Sequence, residues 1–182
     1  IINCFDQLKR VEIVIPDNLN NPTTPEDLAN ELSKLKNDYE QMKTMIETNC
    51  MGFVNLVHEV LPTLMQSKSG HWINITSDAG KRPFPGLAIY SGTKAFVEFS
   101  AGAMRQELVD HNIKVTNIQP GNVHTPLHTK STQTKAVSQY GTKNAGQYLS
   151  TTDVVQAIDY ALSTPFQVGV NEILIEPISE SI

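Results

Sequence analysis

Short apolar runs that stop at turn residues, with long helical stretches between them, constrain this chain more than any other feature. Val11 to Ile15 ends at Pro16-Asp17-Asn18, His71 to Ser77 at Asp78-Ala79-Gly80, and Lys114 to Gln119 at Pro120-Gly121; Glu172 to Glu176 closes the series. Runs of this length bounded by Pro, Gly and Asp read as strands. Between the first two, Leu28, Leu32, Leu35, Tyr39, Met42 and Ile46 recur at alternating spacings of four and three, which is one face of a helix. A capping-box pattern at Asn37 and Glu40 leaves open a division of the stretch from Pro25 to about Gln66 into two helices. Phe53 to Met65 continues the helical burial, and Gly70 follows as a stop. Two further helices are expected, from about Ala88 to Asp110 and from Thr152 to about Ser163, the latter with Asp153 near its positive end. Strand alternating with helix predicts an α/β fold: a parallel sheet with right-handed crossovers, covered on both faces.

A chain of 182 residues with 18% charged side chains is expected to form a single domain with a proper core. Its net charge of −5 and scattered lysines and arginines argue against a nucleic-acid partner and against recruitment to an anionic membrane. No run approaches the roughly 18 apolar residues of a membrane helix. Cys4 and Cys50 form no CxxC pattern and no zinc-type spacing with histidine, so no metal is expected and a reduced, cytoplasmic setting is favoured. Residues 124–149, rich in Thr, Ser, Lys and Gln, read as a flap over a substrate rather than as core.

In a parallel α/β sheet, ligands lie beyond the carboxyl ends of the strands. Ser77 and Pro120-Gly121 both fall there. Tyr90 and Lys94, four residues apart at a helix start, leave the same helix face. A phenol titrates near 10 in water, and an ammonium held beside it favours the phenolate and lowers that value. The pair is thereby a tuned proton donor and acceptor of the kind carbonyl reduction needs. Ser77, 13 residues before Tyr90, is placed to hold the carbonyl or alcohol oxygen.

These residues carry a resemblance. Ile73-Asn74-Ile75-Thr76-Ser77, Ala88-Ile89-Tyr90-Ser91-Gly92-Thr93-Lys94-Ala95, and Val115-Thr116-Asn117-Ile118-Gln119-Pro120-Gly121-Asn122-Val123-His124-Thr125 together resemble the short-chain dehydrogenase/reductase family, over residues of about 11 to 182. The resemblance implies a Rossmann-like, doubly wound parallel sheet and an NAD(P)-dependent oxidoreductase that interconverts an alcohol and a carbonyl. Tyr90 would be the general acid/base. Lys94 would lower its pKa and hold the nicotinamide ribose, and Ser77 would orient the substrate oxygen. Asn49, in Thr48-Asn49-Cys50-Met51-Gly52, matches the helix asparagine that supports a proton relay to the lysine. Pro120, Gly121, Val123 and Thr125 match the segment that binds the nicotinamide half, beside Tyr90 and Lys94. The end of the chain, Thr152 to Ala157 and Leu162 to Pro165, resembles a cytosolic subgroup acting on hydroxy acids, steroids or other small carbonyls. That points to NADP ahead of NAD. The family further implies a homodimer or homotetramer built on the helices after residues 38 and 88.

The glycine-rich turn that receives the pyrophosphate in this family has no match here, and Pro16-Asp17-Asn18-Leu19 stands where Asn-Asn-Ala-Gly is usual. The expectation is therefore an N-terminally incomplete copy of the fold, its first βαβαβ part missing. The alternative is a cofactor-deficient, non-catalytic binding or scaffold protein on the same fold. Outside the motif, His124 and His128 flank Thr125 at the mouth. Lys81 and Arg82 read either as a solvated basic pair or as attractors of an acidic substrate. His71 and Asn74 read as structural strand residues.

Overall fold

The computed structural model describes residue 26 and residues 38–127 and 148–180. The backbone divides into two compact units, Ile1–Tyr39 and Glu40–Ile182. Nearly all of the first lies outside the described residues, including the expected strand at 11–15 and the possible helix break at Asn37, and the second unit is the one described below.

Its first element is helical without interruption to Ser67, and we call it α1. Residues 38–46 are α-helical, Glu47–Met51 form a π-helical turn, and Gly52–Ser67 resume the α-helix. The amide of Gly52 reaches back to the carbonyl of Glu47, five residues away, which is the signature of one surplus residue in the turn. α1 stops at Lys68, in the left-handed region at φ 50°, while Gly70 is already the first residue of β1, Gly70–Ile75. A short 3₁₀ turn, Asp78–Gly80, then leads to α2, Ala88–Glu107, a second 3₁₀ turn at Val109–His111, and β2, Ile113–Pro120. After the flap region come α3, Thr151–Ser163, and β3, Glu172–Ile175.

The three strands form one parallel sheet in the order β1-β2-β3. Gly70 pairs with Ile113 and Ile75 with Ile118, while Asn117 pairs with Glu172 and Pro120 with Ile175. β2 is the interior strand: seven of its eight residues are buried, whichever face they point to. On one face Ile113 and Val115 join Ala101, Met104 and Leu108 in the core, with Phe53, Val57, Leu61 and Leu64 of α1 and Trp72 of β1 packed against it. On the other face Lys114 donates to the Thr164 carbonyl and hydroxyl at the end of α3, and Thr116 donates to the Val170 carbonyl. The sheet is thus parallel, as the alternation of runs predicts, and β2 is the strand covered on both faces.

The two strand polar residues are structural. His71 Nε2 lies 2.7 Å from Thr116 Oγ1; because that hydroxyl gives its own proton to Val170, the ring nitrogen is the donor. Asn74 accepts from Trp72 Nε1 at 2.7 Å and donates to Asn117 Oδ1 at 2.9 Å. Among the described residues, no helix is long and apolar enough to cross a membrane.

Candidate active site

The carboxyl end of β1 sets the site. The strand pairing continues one residue beyond it, where the Thr76 amide donates to the Ile118 carbonyl at 2.8 Å. Ser77 follows in extended backbone and caps the 3₁₀ turn, its hydroxyl accepting from the Ala79 amide at 3.2 Å. It also donates its proton to Asp78 Oδ1, 2.8 Å away. A hydroxyl has a single proton, so with that proton on Asp78 the Ser77 oxygen is left to accept. Tyr90, in the first turn of α2, lies near enough to Ser77 and Asp78 for both to act on its phenol.

Lys94 stands one helical turn further along α2. Its ammonium lies 5.6 Å from the centre of the Tyr90 ring and donates to the Ile75 carbonyl at 3.3 Å. Ser77, Tyr90 and Lys94 therefore meet at one place, beyond the end of β1. The phenol differs from the expectation in one respect. Burial pushes the Tyr90 pKa up, a Ser77 hydroxyl turned to donate toward the phenol oxygen would lower it, and the Asp78 carboxylate raises it; the balance is upward. Lys94 is not among these influences; its ammonium, over the ring face, bonds to the Ile75 carbonyl. Lys94 itself is pushed down by burial, opposed by the Glu98 carboxylate.

Asn49 lies in the π-turn of α1 and donates from Nδ2 to Thr93 Oγ1 at 3.0 Å; Thr93 in turn donates to the Tyr90 carbonyl at 2.8 Å. Asn49 is thereby joined to the Tyr90–Lys94 helix through a threonine that sequence reasoning passed over. The buried Glu98 was missed as well. It stands four residues beyond Lys94 on a face that also carries Val97 and Ala101, so the available signal was a charge among core positions.

The segment after β2 behaves less uniformly. Pro120 is buried at the end of the strand, and its missing N–H fits the end of the β1 pairing at Ile118. Gly121 is closely packed: a Cβ there would lie 3.1 Å from Glu180 Oε2 and 3.3 Å from Pro177 Cδ, so the room it leaves is filled by the stretch after β3. Val123 forms a parallel bridge to Leu149, whose amide and carbonyl bond to Asn122 and His124. That pattern directs the amide and carbonyl of Val123 itself away from Leu149. Thr125 Oγ1 accepts from the Leu127 amide at 3.4 Å. His124 meets the edge of the Tyr148 ring, and His128 lies outside the described residues.

Lys81 and Arg82 are committed to carboxylates. Lys81 Nζ is 2.7 Å from Glu172 and 3.5 Å from Glu98, and Arg82 pairs with Glu176 and, at 3.9 Å, with Asp78. They tie the turn after Ser77 to α2 and to the β3 end, which removes the reading of a free basic pair awaiting an acidic substrate. No group of three His, Cys, Asp or Glu side chains among the described residues could hold a metal ion.

Comparison with known proteins agrees with the geometry. The chain is 40% identical over 143 residues to glycine betaine reductase ATRR of Emericella nidulans, matching 79% of this chain and 11% of that protein. It is 37% identical over 151 residues to an uncharacterised oxidoreductase of Staphylococcus saprophyticus, matching 81% of this chain and 60% of the relative. Among solved structures, serine dehydrogenase from Escherichia coli superposes with a TM-score of 0.65 at 31% identity, over 79% of this chain and 56% of that one. A closed serine dehydrogenase complexed with NADP+ gives a TM-score of 0.69 at 33% identity, over 79% and 58%. The chain thus spans a little over half the length of these enzymes and a tenth of the fungal reductase. The family model for short chain dehydrogenases matches residues 4–136, and with most of its length accounted for in this way the chain belongs to the short chain dehydrogenase family.

Proposed function

We propose that this chain carries the proton-handling half of an NAD(P)-dependent oxidoreductase that interconverts an alcohol and a carbonyl on a small molecule. One observation carries the reading: the Lys94 ammonium lies over the Tyr90 ring and reaches the Ile75 carbonyl that ends β1, beside the turn that Ser77 caps. We read the chain as one domain with 124–149 as a substrate flap, working in the cytoplasm.

A nicotinamide dinucleotide, when bound, supplies or accepts the hydride. The residues present fit its nicotinamide half. Lys94 has donors beyond the one given to Ile75, suited to ribose hydroxyls, and Val123 directs an amide and a carbonyl away from its bridge, suited to a carboxamide. Pro120, Gly121 and Thr125 shape the backbone around Val123. The NADP+ complex of a relative at 33% identity supports NADP over NAD.

In reduction, the neutral phenol of Tyr90 gives its proton to the substrate oxygen; in oxidation it must first be ionised to take one. Ser77 holds that oxygen. With its proton on Asp78 it accepts from an alcohol, and a carbonyl requires the hydroxyl to turn away from Asp78 and donate. Stabilising the phenolate as it forms requires the Lys94 ammonium to turn from the Ile75 carbonyl toward the phenol oxygen. Asn49 and Thr93 brace the Tyr90 carbonyl from α1.

Trp72 packs against Phe53 in the core behind the site, so its fluorescence offers a binding signal. Titration with NADPH and NADH should give saturable quenching, stronger for NADPH. A chain that bound neither cofactor and turned over no carbonyl would favour the scaffold alternative.

A further inference from the structure

We propose that Glu98 is a positioning residue for this site: its carboxylate fastens the turn that presents Ser77 to the helix that carries Tyr90 and Lys94. The inference rests on the reading of those three residues given above and names the part that holds them in register.

Glu98 is 7% exposed, yet it carries an ionisable carboxyl. A buried carboxylate is tolerated only where its oxygens are taken up by partners. Both oxygens here go to residues that flank Ser77. Oε1 accepts from Thr76 Oγ1 at 2.8 Å, and Oε2 lies 3.5 Å from Lys81 Nζ. Thr76 precedes Ser77 directly, and Lys81 follows the turn that Ser77 caps. The carboxylate therefore grips the chain before and after the serine, while its own backbone belongs to α2 one turn beyond Lys94. Lys81 passes the grip on to Glu172 of β3.

Gly80 supplies independent support. A Cβ at this position would lie 2.7 Å from Glu98 Oε1 and 3.2 Å from the backbone carbon of Lys94. The turn rests so closely on α2 at this point that a side chain here would push the carboxylate from its place. Its backbone is not in the left-handed region, so the requirement for glycine is one of space. The same charge also acts on Lys94, opposing the effect of burial on the ammonium.

The test uses the full chain with three variants that loosen the grip differently: Glu98→Ala, Thr76→Val and Gly80→Ala. Each is expected to lower kcat roughly ten- to hundredfold with little change in the KM for the dinucleotide, because a reacting group is displaced while the cofactor contacts stay. Glu98→Gln, which keeps the acceptor for Thr76, should recover kcat to within about threefold of the parent. Hydrogen exchange at the amides of residues 77–82 should rise in the first three variants while exchange at 71–75 stays as in the parent. Variants that are folded at the assay temperature, turn over like the parent and show no faster exchange at 77–82 would overturn the proposal. If the parent itself shows no turnover, the failure belongs to the proposed activity, and the exchange measurement alone decides the role of Glu98.

Discussion

At the scale of single residues, Tyr90 decides how the protein should respond to pH. Its pKa is held above that of an ordinary phenol, chiefly by burial, so the side chain is protonated at neutral pH and already in the state that donates. Carbonyl reduction should therefore proceed across the neutral range without requiring alkali. Alcohol oxidation should climb with pH, since it needs the phenolate. Lys94, pushed below an ordinary lysine, should lose its charge earlier than usual and bend both profiles down at the alkaline edge. Rate profiles recorded in both directions check this, and a reduction rate that rose steeply with pH would contradict it. Tyr90→Phe should cost on the order of 10²- to 10⁴-fold in either direction. The sequence made Tyr90, Ser77 and Lys94 legible because their spacing repeats a pattern. It could not show the sign of the phenol shift, which depends on how deeply the ring is buried and on where the ammonium goes.

At the scale of elements, α3 is the best-defined helix start. Ser150 accepts from the Asp153 amide at 3.2 Å, and the Asp153 carboxylate accepts from both the amide and the hydroxyl of Ser150. These bonds hold the Asp153 carboxyl below its ordinary value near 3.8. A folded pKa below the unfolded one means that the contribution is present above about pH 4 and disappears as pH falls through the folded value. Ser150→Ala should lower stability by ~1 kcal/mol at neutral pH, read by urea melting, and should weaken this acid dependence. Asp153 was visible in the sequence as a charge at a helix start, but the cap partner was not, because Ser150 closes a polar stretch that reads as loop. The α2 boundary moved for a related reason: the apolar pattern runs on to Asp110, while the backbone tightens into a 3₁₀ turn from Val109.

At the scale of the whole molecule, the strand and helix alternation was enough to give the parallel sheet, because each strand announces its own end. What it could not give is the web that joins distant segments: Lys81 to Glu172, Arg82 to Glu176, Asn122 to Glu180. Such pairs have no sequence spacing to betray them. The same limit applies to association. Val97, Ala101 and Met104 of α2 are buried within the chain, whereas Phe99 is 84% exposed and Phe96 is 40% exposed. Its exposure makes Phe99 the position at which the expected subunit contact is tested. Phe99→Glu should shift the protein toward monomer in light-scattering measurements without lowering its melting temperature as a monomer. An unchanged mass would place any subunit contact elsewhere.

The surplus residue in α1 has a consequence for how that helix can be altered. A π-turn sets the helix face before Glu47 out of phase with the face after Met51, by about 100° in angular terms. Removing one residue between them would restore a regular hydrogen-bond ladder and lengthen the straight helix. It would also turn one half against the other, so that the residues now resting on the core and the amide now reaching Thr93 could not both keep their places. The helix is thus a two-part gauge whose offset is one residue, and its less regular backbone is what lets a single rod serve the sheet and the Tyr90 helix together.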